Sequence, residues 1–225
     1  MAAAGKLSVS SVMIMVMVVV LAATISNPVS ADPDLLQDVC VADLNSAVKM
    51  NGFACKANFT ATDFFFEGIA NPGLTNNSMG SLVTLANVMK IPGLNTLGVS
   101  MARIDYAPGG LNPPHTHPRA TEIIFVLEGE LDVGFITTAN VLVPKSLKKG
   151  DVYVFPKSLV HFQKNNGKVP AAVIAAFNSQ LQGTQVIATT LFAATPPVPD
   201  NVLAMAFQIG NKEVDKIKSK FAPKS

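Results

Sequence analysis

The sequence has no tryptophan, only two tyrosines, two cysteines and three histidines, and just 14% of its 225 residues carry charge. Each scarcity excludes something. Seventeen Lys and Arg against fifteen Asp and Glu leave a net charge of +2, too weak a field for nucleic-acid binding to be the main task. Low charge beside 49% hydrophobic residues excludes a disordered chain. The cysteines are not in Cys-x-x-Cys spacing, so a redox-active pair is not expected. Long apolar runs are scarce too: beyond the amino-terminal segment, no stretch could span a membrane. The length suits one domain.

The exception at the amino terminus has its own explanation. Lys6 is followed by Val12 to Ala23, twelve residues without a polar side chain, and then by Pro28 and Val29-Ser30-Ala31. A charged start, a short apolar core and small residues before a cleavage point describe a secretory signal peptide over residues 1–31. As a helix the apolar core would rise about 18 Å, too little for a bilayer core of about 30 Å. Secretion gives the cysteines a meaning. An even count in an oxidising compartment implies a Cys40–Cys55 disulfide rather than two buried thiols, worth about 3 kcal/mol for a loop of about 15 residues. It also makes acceptors of two sequons, Asn58-Phe59-Thr60 and Asn76-Asn77-Ser78, so Asn58 and Asn76 are expected to carry glycans.

Residues 32–80 are punctuated by Pro and Gly and read as a loop-rich segment that the disulfide pins. From Leu97 onward, short apolar runs alternate with turn signals, the pattern of an all-β domain, which is placed over residues 81–194. Expected strands are Leu97–Tyr106, Glu122–Leu127, Leu131–Ile136, Val152–Phe155, Leu159–Phe162, Ala171–Phe177 and Gln185–Leu191. The continuous apolar run Ala171–Phe177 suits a strand buried on both faces. Pro196-Pro197 and Pro199 stop the strands, and residues 195–225 carry two helical patterns, one opened by Asp200 and one by Asn211 with Val214, Ile217 and Phe221 on a face. The lysines at 212, 216, 218, 220 and 224 read as the solvated side of that tail rather than an anion-binding patch.

The three histidines fall in two places. His115 and His117 are two apart, which on a strand points both imidazoles to one side. Glu122 follows after the turn signal Pro118-Arg119, which resets the register and lets a carboxylate face the same way. His161 lies in a distant run and would close the group from another wall. One histidine in a strand is more often a satisfied core residue than a ligand. Three imidazoles and a carboxylate together, however, are a four-donor site for a divalent transition metal. Ligand type leaves manganese, zinc, copper, iron and nickel open.

These residues also carry a family resemblance. Gly109-x5-His115-x-His117-x4-Glu122-x6-Gly129 resembles the first cupin box, and Gly150-x5-Pro156-x4-His161-x3-Asn165 the second. Within cupins, the run Pro108 to Glu122 is similar to the germin box. Asp32 to Cys40, Phe177-Asn178-Ser179-Gln180 and Lys218-Ser219-Lys220-Phe221 are germin-like as well. The resemblance covers the mature chain and implies a germin-like protein of plants. The expected fold is an all-β cupin β-barrel (jelly roll) with a short C-terminal helical tail. The implied cofactor is one Mn²⁺ per subunit, held by His115, His117, Glu122 and His161. The implied partners are other copies of the chain, as a hexamer built as a trimer of dimers, and the cell-wall matrix, in the apoplast.

Two departures from the family pattern bear on activity. Ser158 stands where the second box usually has Gly; if that turn needs positive φ, Ser carries a strain cost. Germins that oxidise oxalate are thought to hold it with two asparagine amides. One matches Asn112, but the other position is Ala102, and losing one donor to a bound anion costs about 1.5–3 kcal/mol. The expectation is therefore a defence-related wall protein that lacks oxalate oxidase activity and dismutes superoxide, a small oxygen species, with Asn112 orienting a water or anion. Oxalate oxidation and a non-catalytic extracellular scaffold are the alternatives.

Overall fold

The computed structural model describes residues 37–49 and 51–221, together with Met17. The expected signal peptide and the matching run Asp32 to Leu36 lie outside the described residues. Ten strands form two five-stranded antiparallel sheets. The strands are β1 (Ser81–Ala86), β2 (Ser100–Tyr106), β3 (Leu111–Thr116), β4 (Glu122–Glu128), β5 (Glu130–Ile136), β6 (Leu142–Lys148), β7 (Val152–Phe155), β8 (His161–Lys164), β9 (Ala171–Phe177) and β10 (Gln185–Val186). The first sheet runs β1-β2-β9-β4-β7 and the second β10-β3-β8-β5-β6. Apart from the β1–β2 and β5–β6 connections, each successive strand crosses to the other sheet.

The expected barrel closure does not occur. Among the described residues, neither sheet pairs with the other along an edge, and the edge strands explain why. β10 is two residues long because the chain turns at once into helix α1 (Ile187–Phe192), and β7 ends after four residues at Pro156. Strands this short carry too few ladder hydrogen bonds to join two sheets. The result is a two-sheet, open cupin-type fold. The helical region is also more than a short tail: α1 is followed by α2 (Asp200–Phe207) and α3 (Asn211–Phe221). Leu203 and Val214 are buried, the Phe192 and Phe207 rings lie 5.3 Å apart, and Lys218, half-buried, bonds the Val198 carbonyl and pairs with Asp200.

The core lies between the sheets. β4 alternates cleanly, with Glu122, Ile124 and Val126 buried and Ile123 and Phe125 exposed, as a strand covered on one face should. β9, flanked by β2 and β4, has no exposed residue. Ile104, Tyr106, Ile124, Leu131, Phe155, Val173 and Phe177 fill the centre. At the β4–β5 corner, where the chain leaves one sheet for the other, Gly129 has φ +73°, and a Cβ there would lie 2.6 Å from that of Ala171. Only glycine meets both demands.

Several strand expectations need correction. β1, β3 and β6 were not expected, and Gln185–Leu191 is a strand only at its first two residues. Leu97–Val99 is not strand either, because Thr96 and Gly98 adopt φ +66° and +69° and turn the chain before β2. β3 contains Pro113-Pro114 and keeps its place by a register shift against β8 between Asn112 and His115, a bulge that tolerates the missing N–H donors.

The loop-rich segment before β1 is tied down as expected. Cys40 and Cys55 form a disulfide. Buried Asn95 bonds both backbone groups of Phe53, accepting from its N–H and donating to its carbonyl. This anchors the disulfide loop to the 3-10 turn Pro92–Leu94.

Candidate metal centre

The two-sheet topology brings together residues separated by 46 positions. His115 lies in β3, directly opposite His161, the first residue of β8. His117 sits just past the end of β3, and Glu122 opens β4 on the facing sheet. Pro118-Arg119 is thus the crossing between sheets, which is why Glu122 faces back toward both imidazoles. Phe155 stacks on His161 with ring centroids 4.4 Å apart, and Phe177 meets the His117 ring edge-on at 4.9 Å. Both phenylalanines are register partners of Glu122, so one ring of packing fixes carboxylate and imidazoles together.

All four candidate ligand atoms lie within 4.8 Å of one another, and all four residues are buried. Each imidazole has its Nδ1 against a backbone carbonyl: His115 to Pro113 at 2.7 Å, His117 to Gly183 at 2.6 Å and His161 to Leu159 at 2.8 Å. A carbonyl only accepts, so Nδ1 carries the proton in each ring and Nε2 is left with a lone pair. Glu122 Oε2 lies 2.9 Å from His117 Nε2 and 3.1 Å from His161 Nε2. Three lone pairs and a carboxylate aimed at one buried point call for a cation between them, and the backbone bonds are the outer-shell contacts that orient metal-bound histidines. The donor set therefore fits a divalent metal. Burial and the neighbouring His161 push the His115 imidazole down to about 4, so it stays in the neutral, ligating form. Where no cation stands between them, burial would raise the Glu122 carboxyl, but the hydrogen bonds it shares with His117 and His161 outweigh that and hold it at about 2.

Sequence reasoning missed the polar residues behind the ligands. Gln163 is fully buried. It donates to the second oxygen of Glu122 at 3.2 Å and accepts from Tyr106 Oη at 3.0 Å and Asn112 Nδ2 at 2.7 Å. A signal was available: Gln163 is two residues after His161 on β8 and so shares its inward face. Asn112, expected beside the metal, is buried and lines the same cavity, with one amide hydrogen committed to Gln163. That cavity, about 30 Å³, is walled by Val83, Leu85 and Ile104 on one side and by Asn112, Gln182 and Thr184 elsewhere. Ser158 does adopt positive φ, +66°. Its N–H bonds the His117 carbonyl, which joins the His161 turn to the His117 turn.

The comparisons with known proteins agree with this geometry. A family model described as cupin matches residues 67–215. The chain is 73% identical over 197 residues to germin-like protein subfamily 2 member 1 of Arabidopsis thaliana, covering 87% of this chain and 90% of that one. It is 70% identical over 210 residues to germin-like protein 5-1 of Oryza sativa, covering 93% and 95%.

This chain is a germin-like cupin.

Among solved structures it matches an oxalate oxidase in complex with the substrate analogue glycolate, at 46% identity and TM-score 0.81, over 86% of this chain and all of that one. The germin-like chain thus carries a His/His/Glu/His cluster that matches the manganese site of its family. Family membership also supports an extracellular, cell-wall-associated location and a plant-defence setting. Among the described residues, no helix is long and apolar enough to cross a membrane. The same comparison overturns the expected activity. Superoxide dismutation without oxalate oxidation, and a non-catalytic scaffold, both give way to the alternative reading, because the full-length structural match with this donor set is to an oxalate oxidase.

Proposed function

We propose that the germin-like chain is a secreted, manganese-dependent oxalate oxidase that generates hydrogen peroxide. The observation that carries this reading is the buried four-donor cluster opening onto a cavity of about 30 Å³, on a chain that matches an oxalate oxidase over 86% of its length. A cavity of that size admits a ligand of a few heavy atoms and excludes sugars and aromatic compounds. In the reaction, oxalate loses two electrons as its C–C bond breaks into two molecules of carbon dioxide. Dioxygen takes up those electrons with two protons and leaves as hydrogen peroxide.

His115, His117, Glu122 and His161 would hold the ion, which when bound supplies a redox-active Lewis acid. The remaining work falls to the chain. Val83, Leu85 and Ile104 keep bulk water off the site, which strengthens every charge interaction inside. Gln163 holds one carboxylate oxygen of Glu122, Oε1, and orients Asn112. Asn112, whose amide has one hydrogen to spare, faces the small anion. The test is peroxide release from oxalate by purified, manganese-loaded protein, compared with His161→Ala. A fully loaded protein that releases none refutes the reading.

The exposed surface supports self-assembly, which we place in a hexamer built as a trimer of dimers. The outer face of the first sheet exposes Met101, Ile123, Phe125, Val152 and Val154, and α2 exposes Val202 and Met205, contiguous apolar patches that a monomer rarely leaves uncovered. Asn58 and Asn76 are exposed, as glycan acceptors in the wall must be.

A further inference from the structure

We propose that Gln182 is the residue that selects a two-carboxylate ligand, its side-chain amide donating to the carboxylate that does not contact the metal. The inference rests on the oxalate reading above and concerns the far end of the same cavity. Apart from the candidate ligands His115, His117 and Glu122, three polar residues line it: Asn112, Gln182 and Thr184. Asn112 has committed one amide hydrogen to Gln163, and the Thr184 hydroxyl lies 3.4 Å from His117 Nδ1. Gln182 differs. It is only 2% exposed, its amide oxygen lies 3.5 Å from Ser100 Oγ, and its Nε2 bonds no described residue. Among the described residues, the one fully enclosed polar side-chain atom without a partner is Thr116 Oγ1. The unpartnered Nε2 of Gln182 is therefore reachable by solvent, and the space that this buried residue lines is the metal cavity.

Its placement is fixed from both sides. The Gln182 carbonyl accepts the Arg119 N–H, and the next residue, Gly183, accepts Nδ1 of His117. The segment thus rests on the turn that joins two of the ligands. The Gln182 amide reaches Ser100, which is two residues before Ala102 on β2 and, like it, buried on the inner face. Oxalate presents two carboxylates on adjacent carbons; with one at the metal, the other meets the cavity wall. There Val83, Leu85 and Ile104 offer it no hydrogen bond, whereas Gln182 offers two donors.

The test is anaerobic, so that binding is read without turnover. Oxalate and acetate are titrated into manganese-loaded wild type, Gln182→Ala and Gln182→Glu, and the Mn²⁺ electron paramagnetic resonance line shape and calorimetry give Kd. Metal content and circular dichroism verify each variant. Removing a donor to a carboxylate should weaken oxalate about 10- to 100-fold in Gln182→Ala. Gln182→Glu, which is isosteric but brings carboxylate against carboxylate, should weaken it at least as much. Acetate, with one carboxylate, should change less than about threefold in Gln182→Ala. Unchanged oxalate affinity in both variants overturns the inference and leaves the proposed function standing. So does an equal loss for acetate and oxalate in Gln182→Ala, which marks a structural role. Failure of wild type to bind oxalate overturns the proposed function and this inference with it.

Discussion

Replacing Gln163 with leucine should destabilise the chain more than any other single polar-to-apolar change near the site. Gln163 is fully buried and makes three side-chain hydrogen bonds, to Tyr106, Asn112 and Glu122. Leucine fills a similar volume, so the cavity contribution is small. What remains is polar. The Tyr106 hydroxyl, itself buried, and one Asn112 amide hydrogen lose their acceptor, at about 1–2 kcal/mol each. Glu122 loses a donor to a charged oxygen, about 1.5–3 kcal/mol. The sum is about 3.5–7 kcal/mol, a large share of a typical folding free energy. Urea unfolding of metal-stripped wild type and variant, with matched m-values, measures it. Manganese affinity should fall too, by about 10- to 100-fold, because the carboxylate is no longer held from behind. A variant within about 1 kcal/mol of wild type that keeps its manganese would refute the claim that Gln163 organises this network.

Acid should destabilise the metal-stripped protein in a defined window. Burial keeps His115 neutral down to about pH 4, whereas an unfolded histidine takes up its proton near 6.5. Between those values the unfolded chain binds the extra proton. Stability should fall as pH drops from about 6.5 to about 4, by about 3 kcal/mol, and continue to fall below that as Glu122, held at about 2, loses its own contribution. Flat denaturant midpoints over that range would contradict the assignment. Breaking the Cys40–Cys55 bond by a Cys→Ser pair should lower stability by about 3 kcal/mol, read as a lower thermal midpoint of the oxidised wild type's counterpart. Ser158→Gly should raise stability by about 0.5–1 kcal/mol, because Ser158 sits at φ +66° where glycine has no steric penalty; a loss would show that its N–H and hydroxyl contacts outweigh the strain.

What was legible in the sequence follows from which interactions are local. β7 and β9 have the expected boundaries, since each is an apolar run between strong turn signals. The four candidate ligands could be picked out because a polar residue on an inward strand position stands out against apolar neighbours, and because Pro118-Arg119 marks the register reset. β3 was hidden by Pro113-Pro114, residues that argue against a strand unless a bulge accommodates them. β6, Leu-Val-Pro-Lys-Ser-Leu-Lys, is an edge strand with one buried residue, so it has no alternation to read. α1, Ile-Ala-Thr-Thr-Leu-Phe, is rich in β-branched residues and reads as strand; its helix packs beside α3 and β3 instead. Whether two sheets close into a barrel depends on pairing between edge strands far apart in the chain, and no local pattern encodes it.

The same distinction explains why Ala102 misdirected the expected activity. A missing asparagine on β2 is a missing donor only if the donor has to come from β2. A carboxylate in a cavity responds to the position and direction of an N–H, and about 1.5–3 kcal/mol is at stake whichever segment supplies it. Ala102 is fully buried, with Leu85 and Ala175 as its strand partners, two residues along β2 from Ser100, whose hydroxyl lies 3.5 Å from the Gln182 amide oxygen. The two positions are 80 residues apart, and only the fold that sets Ser100 against Gln182 makes them one decision.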